Sequence, residues 1–393
     1  MQSPPQLAVD LYGHLGSSFG LGYGARSTKR LLEAVGVEVR PRHLALASHP
    51  ADKDIDQSDT LSPPLLDLVH TNPNILQQTH GLLDSRTLQA PLRVGYWAWE
   101  LEAFPDGWEP AFGDYDEIWS PSSFCATALS QRSPIPVIAV PHLLDWVRLD
   151  RLTQSRANSR IKDAEAEPFR FLTLFDYWST TERKNPAGVI RAFQRAFPTK
   201  ARGPRVELII KASGAEQFPQ ERAALHQLAG DDPRIHWVER LLSEAELDAL
   251  WLRCDALVSL HRAEGFGLTI AEAMAIGLPV VCTAYSGNLD FCPANSTLAV
   301  GWRPTPIGST TGDYPEGAEW AEPDGDDAVE ALRTLVADPA RGQGLGARGQ
   351  AAVHQRLSVE ALAPILRQRL GTLLLQPSRR QLLALSPESA PPG

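Results

Sequence analysis

The chain has 393 residues, of which 43% are hydrophobic and 21% charged, and its formal net charge at pH 7 is -10. These values are typical of a soluble globular protein of two or three domains. The acidic balance argues against a general nucleic-acid-binding protein, whose surface is usually basic, so an anionic ligand would require a local cluster of cations.

The N-terminal segment MQSPPQLAVD lacks the basic and apolar parts of a signal peptide. No apolar run reaches the roughly 18 residues that a membrane span needs. The cysteines have no zinc-site spacing, which predicts buried free thiols in a reducing compartment. We therefore expect a cytoplasmic protein without a membrane span, a setting that is compatible with peripheral membrane contact. The cysteines are Cys125, Cys254, Cys282 and Cys292.

The first part of the chain alternates between strand and helix patterns. Residues 7–13 predict a strand, residues 25–36 a helix that ends at Gly36, and residues 37–46 a second strand. Residues 150–168 are polar and almost without large apolar side chains, and we interpret them as a linker. Between these segments, further strands are predicted at 65–70, 92–99, 117–120 and 136–140.

A second series of strands and helices follows the predicted linker. Ser243 and Glu246 have capping-box spacing at the start of one of its helices. Short buried strands that alternate with helices imply parallel sheets covered on both faces. We therefore predict an α/β fold with two doubly wound, Rossmann-like domains that face each other across a cleft. The predicted strands of this series are 169–175, 206–212, 235–239, 256–260 and the run from Pro279, and its helices are 186–197, 219–229, 243–254 and 268–276.

The predicted domain boundaries follow from the linker. The first domain comprises residues 1–160 and the second comprises residues 161–376. A Pro/Gly-rich insert occupies residues 301–327, and residues 377–393 are predicted to be a loose tail.

The stretch HRAEGFGLTIAEAMAIGLPVV begins at His261 and contains two carboxylates, Glu264 and Glu272. It predicts a strand end, a glycine loop, and a helix that starts near Leu268 and stops at Gly277. A glycine loop at a helix N-terminus presents backbone N–H groups to an anion, and flanking carboxylates accept hydrogen bonds from hydroxyl groups. We therefore interpret the segment as a phosphate site flanked by sites for a sugar and a ribose. The alternative is that both acids only interact favourably with the helix dipole.

Arg183 and Lys184 follow the predicted strand 169–175 and precede a helix that begins at Pro186. Ligands of open α/β sheets bind beyond the carboxyl ends of the strands, where two cations can hold a diphosphate and stabilise it as it leaves. The alternative is an Arg–Lys pair in solvent. In combination with the glycine loop, the pair favours a diphosphate site.

A third motif, GLGYGA at residues 20–25, matches G-x-G-x-x-A through Gly20, Gly22 and Ala25. A dinucleotide fold also needs an acid at the end of the second strand, whereas Glu38 lies inside that predicted strand. A glycine loop that approaches a diphosphate held by the other domain explains the same residues equally well.

The run GYWAWELEAFPDGW at residues 95–108 places aromatic residues beside Glu100 and Glu102 after a predicted strand. Exposed aromatic rings offer flat faces to sugar rings, and carboxylates accept hydrogen bonds from their hydroxyl groups. Core packing is the alternative for part of the cluster. The aromatic residues are Trp97, Trp99, Phe104 and Trp108.

Together, these motifs resemble the retaining GT-B glycosyltransferases of family 4. The resemblance covers most of residues 7–340 and rests on the E-x7-E signature from Glu264 to Glu272, the RKNP element that begins at Arg183, the GLGYGA loop and the YSGNLDF loop at residues 285–291. In two places the chain departs from the family pattern. WAWE at residues 97–100 stands where many members have a histidine. SGNLD replaces the common GG-x-P-E, which leaves the identity of the donor sugar open.

The resemblance implies transfer of a sugar from a UDP- or GDP-sugar to a hydroxyl acceptor such as a glycan or lipid-linked sugar, as in polysaccharide biosynthesis. It also implies retained anomeric configuration and no cofactor or metal. The first domain is implied to bind the acceptor and the second to bind the donor. Arg183 and Lys184 are implied to bind the diphosphate, while Glu264 binds the donor sugar; these three and Glu100 are the implied catalytic residues. The other implied donor-binding residues are Gly20, Gly22, Leu241, Gly265, Phe266, Gly267, Leu268, Thr269, Glu272 (for the ribose), Ser286, Gly287 and Asn288, and the acceptor-binding residues are Trp97, Trp99 and Glu100.

The sequence leaves three alternative functions open. The GLGYGA motif motivates an NAD(P)-dependent Rossmann oxidoreductase, and the tryptophan cluster motivates a non-catalytic sugar-binding module. A metal-dependent transferase of another fold would need D-x-D at a strand end, but the matches at 52–56 and 324–326 lie in predicted polar loops.

Overall fold

The structure, a computed structural model, describes residues 7–55, 63–77, 87–159, 167–199 and 203–378. The chain divides into two compact units. The first unit comprises residues up to 144 together with those from 357 onward, and the second comprises residues 145–356. The chain thus leaves the first unit before the predicted boundary at residue 160 and returns to it well before residue 376. Of the predicted tail at 377–393, all but residues 377 and 378 lie outside the described residues.

The first unit is built on a parallel sheet of six strands. They are β1 (Ala8–Gly13), β2 (Glu38–His43), β3 (Leu66–His70), β4 (Leu92–Tyr96), β5 (Glu117–Ser120) and β6 (Val137–Ala139). Their order across the sheet is β2-β1-β3-β4-β5-β6. β1, β3, β4 and β5 are buried along their whole length, as expected for a sheet with both faces covered.

Helices connect these strands. They are α1 (Gly20–Ala34), α2 (Pro73–Leu76) and α3 (Ser123–Ser130). α1 packs on β1 and β2 and buries Leu31 and Leu32. α3 begins after Ser122, whose hydroxyl accepts a hydrogen bond from the Cys125 amide at 3.2 Å and so satisfies one of the free N–H groups of the first turn.

The second unit contains another parallel sheet of six strands. They are β7 (Phe169–Asp176), β8 (Val206–Ser213), β9 (Ile235–Glu239), β10 (Ala256–Ser259), β11 (Val280–Thr283) and β12 (Leu298–Val300). Their order is β12-β11-β10-β7-β8-β9. Phe171, Leu208 and Val258 from three of the strands pack with Ile190 and Phe193 in one buried cluster.

The helices of the second unit cover this sheet. They are α4 (Trp146–Ser159), α5 (Thr181–Lys184), α6 (Pro186–Ala196), α7 (Pro219–Ala229), α8 (Glu244–Arg253), α9 (Leu268–Ala275), α10 (Gly325–Ala337) and α11 (Pro339–Leu357). The capping box of Ser243 and Glu246 is present at the start of α8, as predicted. No helix in the described ranges combines the length and apolar character needed to cross a membrane.

The predicted linker at 150–168 is wrong over its first half, because residues 146–159 form α4. Leu149 and Leu152, three residues apart, are both buried on one side of this helix. Arg156 within the segment is buried as well, whereas Asp150 and Arg151 are exposed on the other side of the helix. α4 packs against α8 and α9.

The predicted insert at 301–327 contains an antiparallel hairpin. Its strands are β13 (Trp302–Pro306) and β14 (Glu319–Pro323), and they pair with each other outside the main sheet. β7 and β10 are neighbours in the centre of that sheet. Because both strands run in the same direction, the segments that follow them, α5 and the loop before α9, emerge side by side at its carboxyl edge.

The last described helix, α12 (Val359–Leu374), packs on α1 and returns the chain to the first unit. Its Arg369 meets Glu117, a carboxylate that is almost fully buried in β5. Arg369 Nε donates to Glu117 Oε1 at 2.6 Å, Arg369 Nη2 donates to Oε2, and Trp119 Nε1 donates to Oε1 at 2.6 Å. A buried carboxylate requires this pairing because an isolated charge is costly in the interior.

We expect Arg369→Met to lower the free energy of unfolding by about 3 kcal/mol, because the substitution leaves the Glu117 charge buried without its cation. Urea denaturation measures this change. Lys29→Met is the matched control: Lys29 Nζ forms a 2.6 Å pair with Glu33 on the solvent-facing side of α1, which should be worth less than about 0.5 kcal/mol. Equal losses in the two variants would contradict the structural role of the buried pair.

Candidate functional site

The glycine loop between β10 and α9 ends at a helix N-terminus that has no side-chain cap. Gly267 precedes α9 with φ of +93°, a conformation that favours glycine. Leu268 and Thr269 in the first turn are partly exposed. Since the first amides of a helix have no partners within it, this end of α9 is suited to bind an anion.

Glu264 is buried in this loop and faces two cations from α5. Lys184 Nζ lies 2.5 Å from Glu264 Oε1, and Arg183 Nη1 lies 3.6 Å from Oε2. Arg183 Nη1 also donates to the Ala263 carbonyl at 2.8 Å. Burial opposes ionisation of Glu264, but the charges of Lys184 and Arg183 outweigh it and lower the pKa to about 2. The carboxylate is therefore ionised and acts only as a hydrogen-bond acceptor at neutral pH.

Asn185 fixes the position of the two cations. It stands between α5 and α6 in the left-handed region, with φ of +52°. Its Oδ1 accepts from the Gly188 amide at 2.9 Å and caps α6, while its Nδ2 donates to the Leu260 carbonyl at 2.9 Å. The end of α5 is thus tied to the loop that contains Glu264.

The loop that follows β11 packs against the glycine loop. Ser286 Oγ accepts from the Glu264 amide at 2.8 Å, and the Gly287 amide donates to the Glu264 carbonyl at 2.9 Å. A Cβ at Gly287 would lie 2.2 Å from the Gly265 carbonyl oxygen, so this close approach requires glycine. The two loops therefore hold the Glu264 main chain between them.

His261 and Asn288 form a buried support beneath these loops. His261 Nδ1 is 3.0 Å from Ser259 Oγ, and its Nε2 is 3.1 Å from Asn288 Oδ1. Burial lowers the pKa of His261, which favours the neutral ring. Asn288 is fully buried and its Nδ2 donates to the Thr283 carbonyl at 3.3 Å. The structure thus places Asn288, predicted as a donor contact, in a network that holds the loop.

Backbone strain concentrates at this site. Among the described residues, the non-glycine residues with positive φ are Thr180, Asn185 and Ser286. Thr180 precedes α5, Asn185 follows it, and Ser286 bonds the Glu264 amide. Such conformations cost free energy and persist where the surrounding contacts enforce them, often at functional sites.

Glu272, one turn inside α9, is buried and paired with a residue that the sequence did not indicate. Arg148 Nη1 on α4 donates to Glu272 Oε1 at 2.9 Å. Arg148 Nε also donates to Asp248 Oδ1 on α8 at 2.7 Å. Burial opposes the charged form of Arg148, but Glu272 and Asp248 outweigh it and raise the pKa of Arg148 above its usual value.

The hairpin insert is attached to the same edge through Arg262, in the glycine loop. Arg262 Nε donates to Glu322 Oε2 at 2.5 Å, and the Ala321 amide donates to the Arg262 carbonyl at 3.0 Å. Between the hairpin strands, the Tyr314 ring lies 5.9 Å from the guanidinium carbon of Arg183. The insert therefore contacts both the glycine loop and one of the two cations.

Two other predicted donor residues lie at this edge. Leu241 follows β9 and is 54% exposed, an unusual exposure for a large apolar side chain. Phe266 is buried, with its ring centroid 5.0 Å from that of Phe291, so it packs within the unit.

The GLGYGA motif is helical rather than a loop. α1 begins at Gly20, and residues 20–25 form its first turns. A Cβ at Gly22 would lie 2.1 Å from the Ser17 carbonyl oxygen, so this glycine allows the close approach of the helix to the preceding loop. His43, not an acid, ends β2. Gly20 and Gly22 lie in the first unit, and their assignment to donor binding stays a prediction.

Of the two interpretations of the aromatic residues after β4, core packing holds for all four, since Trp97, Trp99, Phe104 and Trp108 are buried. Trp97 is 0% exposed and its ring packs on Phe112 at 5.0 Å between centroids. Trp99 is also buried, and its Nε1 donates to the Ala103 carbonyl at 2.7 Å. Both rings pack against other residues of the first unit. They therefore lack the exposed faces on which their assignment to acceptor binding was based. Glu100 is partly exposed and stays a predicted acceptor contact.

Solved structures with a similar fold span nearly the whole chain. The Anabaena protein HepE, solved with UDP and glucose, matches with a TM-score of 0.60 and 15% identity over 93% of this chain and 100% of that chain. Sucrose-phosphate synthase from Thermosynechococcus elongatus matches with a TM-score of 0.62 and 16% identity over 97% and 100%. A glycosyltransferase from Rickettsia africae matches with a TM-score of 0.64 and 10% identity over 95% and 100%. These similarities confirm the predicted GT-B fold class.

No curated protein matches the chain in sequence. Residues 173–300 match the family described as Glycosyl transferases group 1. This segment contains the cations of α5, the glycine loop, α9 and the loop after β11. The family match therefore lies within the second unit, in a chain whose fold class is GT-B.

Proposed function

We propose that the protein is a retaining glycosyltransferase that moves a sugar from a nucleoside-diphosphate sugar to a hydroxyl acceptor. The observation that carries this proposal is the convergence of Lys184 and Arg183 on the buried, ionised Glu264 beside the N-terminus of α9. Cations and helix amides suit phosphates, and an acceptor-only carboxylate suits hydroxyl groups. The family match at residues 173–300 supports the same activity.

In this proposal the diphosphate lies against the amides of Gly267 and Leu268 and is contacted by Lys184 and Arg183. An ammonium has three N–H donors and a guanidinium has five, so each cation can contact a phosphate oxygen and Glu264 together. The net negative charge of the chain does not oppose binding, because this edge presents two cations and the positive end of a helix dipole.

The flanking groups would bind the rest of the donor. Glu264 accepts hydrogen bonds from hydroxyl groups of the donor sugar, and Glu272 accepts them from the ribose. The exposed Leu241 contacts the base, and the loop at Ser286 and Gly287 lies against the donor sugar. HepE was solved with UDP and glucose and with UDP-glucose, which makes UDP-glucose the first donor to test, followed by GDP-sugars.

The proposed chemistry keeps the anomeric configuration by attack on the face from which the diphosphate leaves. A bond forms between the acceptor oxygen and the anomeric carbon, the bond from that carbon to the phosphate oxygen breaks, and the leaving phosphate takes the acceptor proton. Lys184 and Arg183 stabilise the negative charge that develops on the diphosphate. This scheme uses no protein nucleophile and no metal. We assign acceptor binding to the first unit, with Glu100 as its contact.

An oxidoreductase is the second candidate, motivated by G-x-G-x-x-A at residues 20–25. The helical position of Gly20 and the histidine at the end of β2 do not favour it. Fluorescence titration with NADH and NADPH separates the two functions, because saturable NAD(P)H binding together with no response to UDP or GDP would replace our proposal.

We expect Lys184→Ala to weaken binding of UDP or GDP by about 30-fold or more, because it removes a charge-assisted contact worth about 2 kcal/mol or more. Isothermal titration calorimetry measures the affinity. Lys29→Ala is the control, since Lys29 forms a lysine–glutamate pair of similar length, 2.6 Å, with Glu33 on the solvent-facing side of α1. This variant should bind the nucleotide like the wild type. Unchanged affinity of Lys184→Ala would remove the diphosphate site from this edge.

Glu264 should make stability depend on pH with a definite sign. Its folded-state pKa of about 2 lies below the ordinary value of 4.5, so its ion pairs contribute fully above pH 4.5, by about 3 kcal/mol, and are lost as the pH falls towards 2. We expect the destabilisation caused by Glu264→Gln to be largest near pH 7 and to shrink below pH 4.5. Urea denaturation across this range tests it, with Glu33→Gln, which replaces an exposed carboxylate of α1, as the control. A destabilisation that stays constant with pH would show that Glu264 is not held by these charges.

The stereochemistry and the metal dependence of turnover test the proposed retaining, metal-free mechanism. With an α-linked donor such as UDP-glucose, we expect an α-linked product by proton NMR. We also expect the same rate with and without EDTA, because cationic side chains stabilise the leaving group. A β-linked product would exclude retention, and loss of turnover in EDTA would exclude the metal-free scheme.

A further inference from the structure

Arg148 on α4 joins two carboxylates from two other helices. Its Nη1 donates to Glu272 Oε1 on α9 at 2.9 Å, and its Nε donates to Asp248 Oδ1 on α8 at 2.7 Å. Arg148 Nη2 also lies 2.6 Å from Asp248 Oδ1. The guanidinium of Arg148 is therefore held by Asp248 on one side, and it contacts Glu272 in a fixed orientation on the other.

Arginine suits this position because its guanidinium is planar and presents its donors in a rigid fork. The side chains of Arg148 and Glu272 are almost fully buried, at 7% and 10% exposure. A buried carboxylate keeps its charge only when it is paired, and a charged carboxylate is the stronger acceptor of hydrogen bonds. Arg148 thus supplies both the charge balance and the orientation of Glu272.

We propose that Arg148 is a positioning residue that sets the preference of the site for ribose over deoxyribose by holding Glu272. This inference rests on the proposed function, in which Glu272 accepts hydrogen bonds from the ribose hydroxyl groups. The ammonium of a lysine, as a point charge, does not reproduce the planar contact with both carboxylates.

The test compares UDP with 2′-deoxy-UDP, and GDP with 2′-deoxy-GDP, by calorimetry. For the base that binds, we expect the wild-type protein to prefer the ribonucleotide about tenfold, the loss expected when a hydrogen bond to a charged group is removed. We expect Arg148→Met to reduce this preference to less than about threefold, and Arg148→Lys to give an intermediate ratio. In the Glu272→Gln background, Arg148→Met should leave the ratio unchanged, because the residue through which it acts is gone.

Arg156 provides a matched control on the same helix. It is also buried, and its Nη1 donates to the Cys254 carbonyl at 2.7 Å. Arg156→Met should lower thermal stability, as Arg148→Met does, and keep the tenfold ratio. The ratio of two affinities therefore separates a positioning role from a purely structural one.

A ratio that stays near tenfold in Arg148→Met, or in Arg148→Lys where the methionine variant does not fold, would overturn the inference. A wild-type protein that binds the ribo- and deoxyribonucleotides equally would also overturn it and leave the diphosphate site in place. Binding of neither UDP nor GDP by the wild-type protein would instead overturn the proposed function itself.

Discussion

The ion pair between Glu264 and Lys184, with Arg183 beside it, organises the carboxyl edge of the second unit. A carboxylate in this loop is buried, and burial alone would favour its neutral form. The two cations reverse that preference, so the loop keeps a charged acceptor at the start of α9. Asn185, whose backbone is in the left-handed region, and the hydrogen bond from the Glu264 amide to Ser286 hold the cations and the Glu264 carboxylate in position. The positive φ values of these two residues are accompanied by hydrogen bonds between their side chains and neighbouring loops.

Most of the fold followed from the sequence, because strands buried on both faces are continuous apolar runs. β7 and β8 match the predicted runs to within a residue at either end. α4 was missed because a polar window that starts at residue 150 cuts through the helix and separates Leu149 from Leu152. Residues 150, 151, 154 and 155 of that helix are exposed and polar, so its composition resembled a linker. β4 is shorter than predicted, since Trp97 and Trp99 leave the strand to fill the first unit's core.

The candidate site was predicted where its residues are close in sequence and missed where they are distant. Glu264 and Gly267 share one loop, so their spacing carried the prediction. Arg148 and Glu272 are separated by 124 positions, and no local pattern in a single sequence connects them. Arg262 lies in the HRAEGFG stretch, yet its partner Glu322 is 60 positions away, and no local spacing connects the two. Gly22 of the GLGYGA motif has a local packing role, which spacing cannot distinguish from ligand binding.

The return of α12 to the first unit has a consequence for the order in which the protein can form. Glu117 is synthesised 252 residues before Arg369. At about 5–20 residues per second on the ribosome, this guanidinium reaches its carboxylate roughly 13–50 seconds after β5 has been made. The second unit, contiguous from residue 145 to residue 356, can fold in that interval. Until Arg369 has been synthesised, the Glu117 carboxylate therefore lacks the cation that compensates for its burial in the folded first unit.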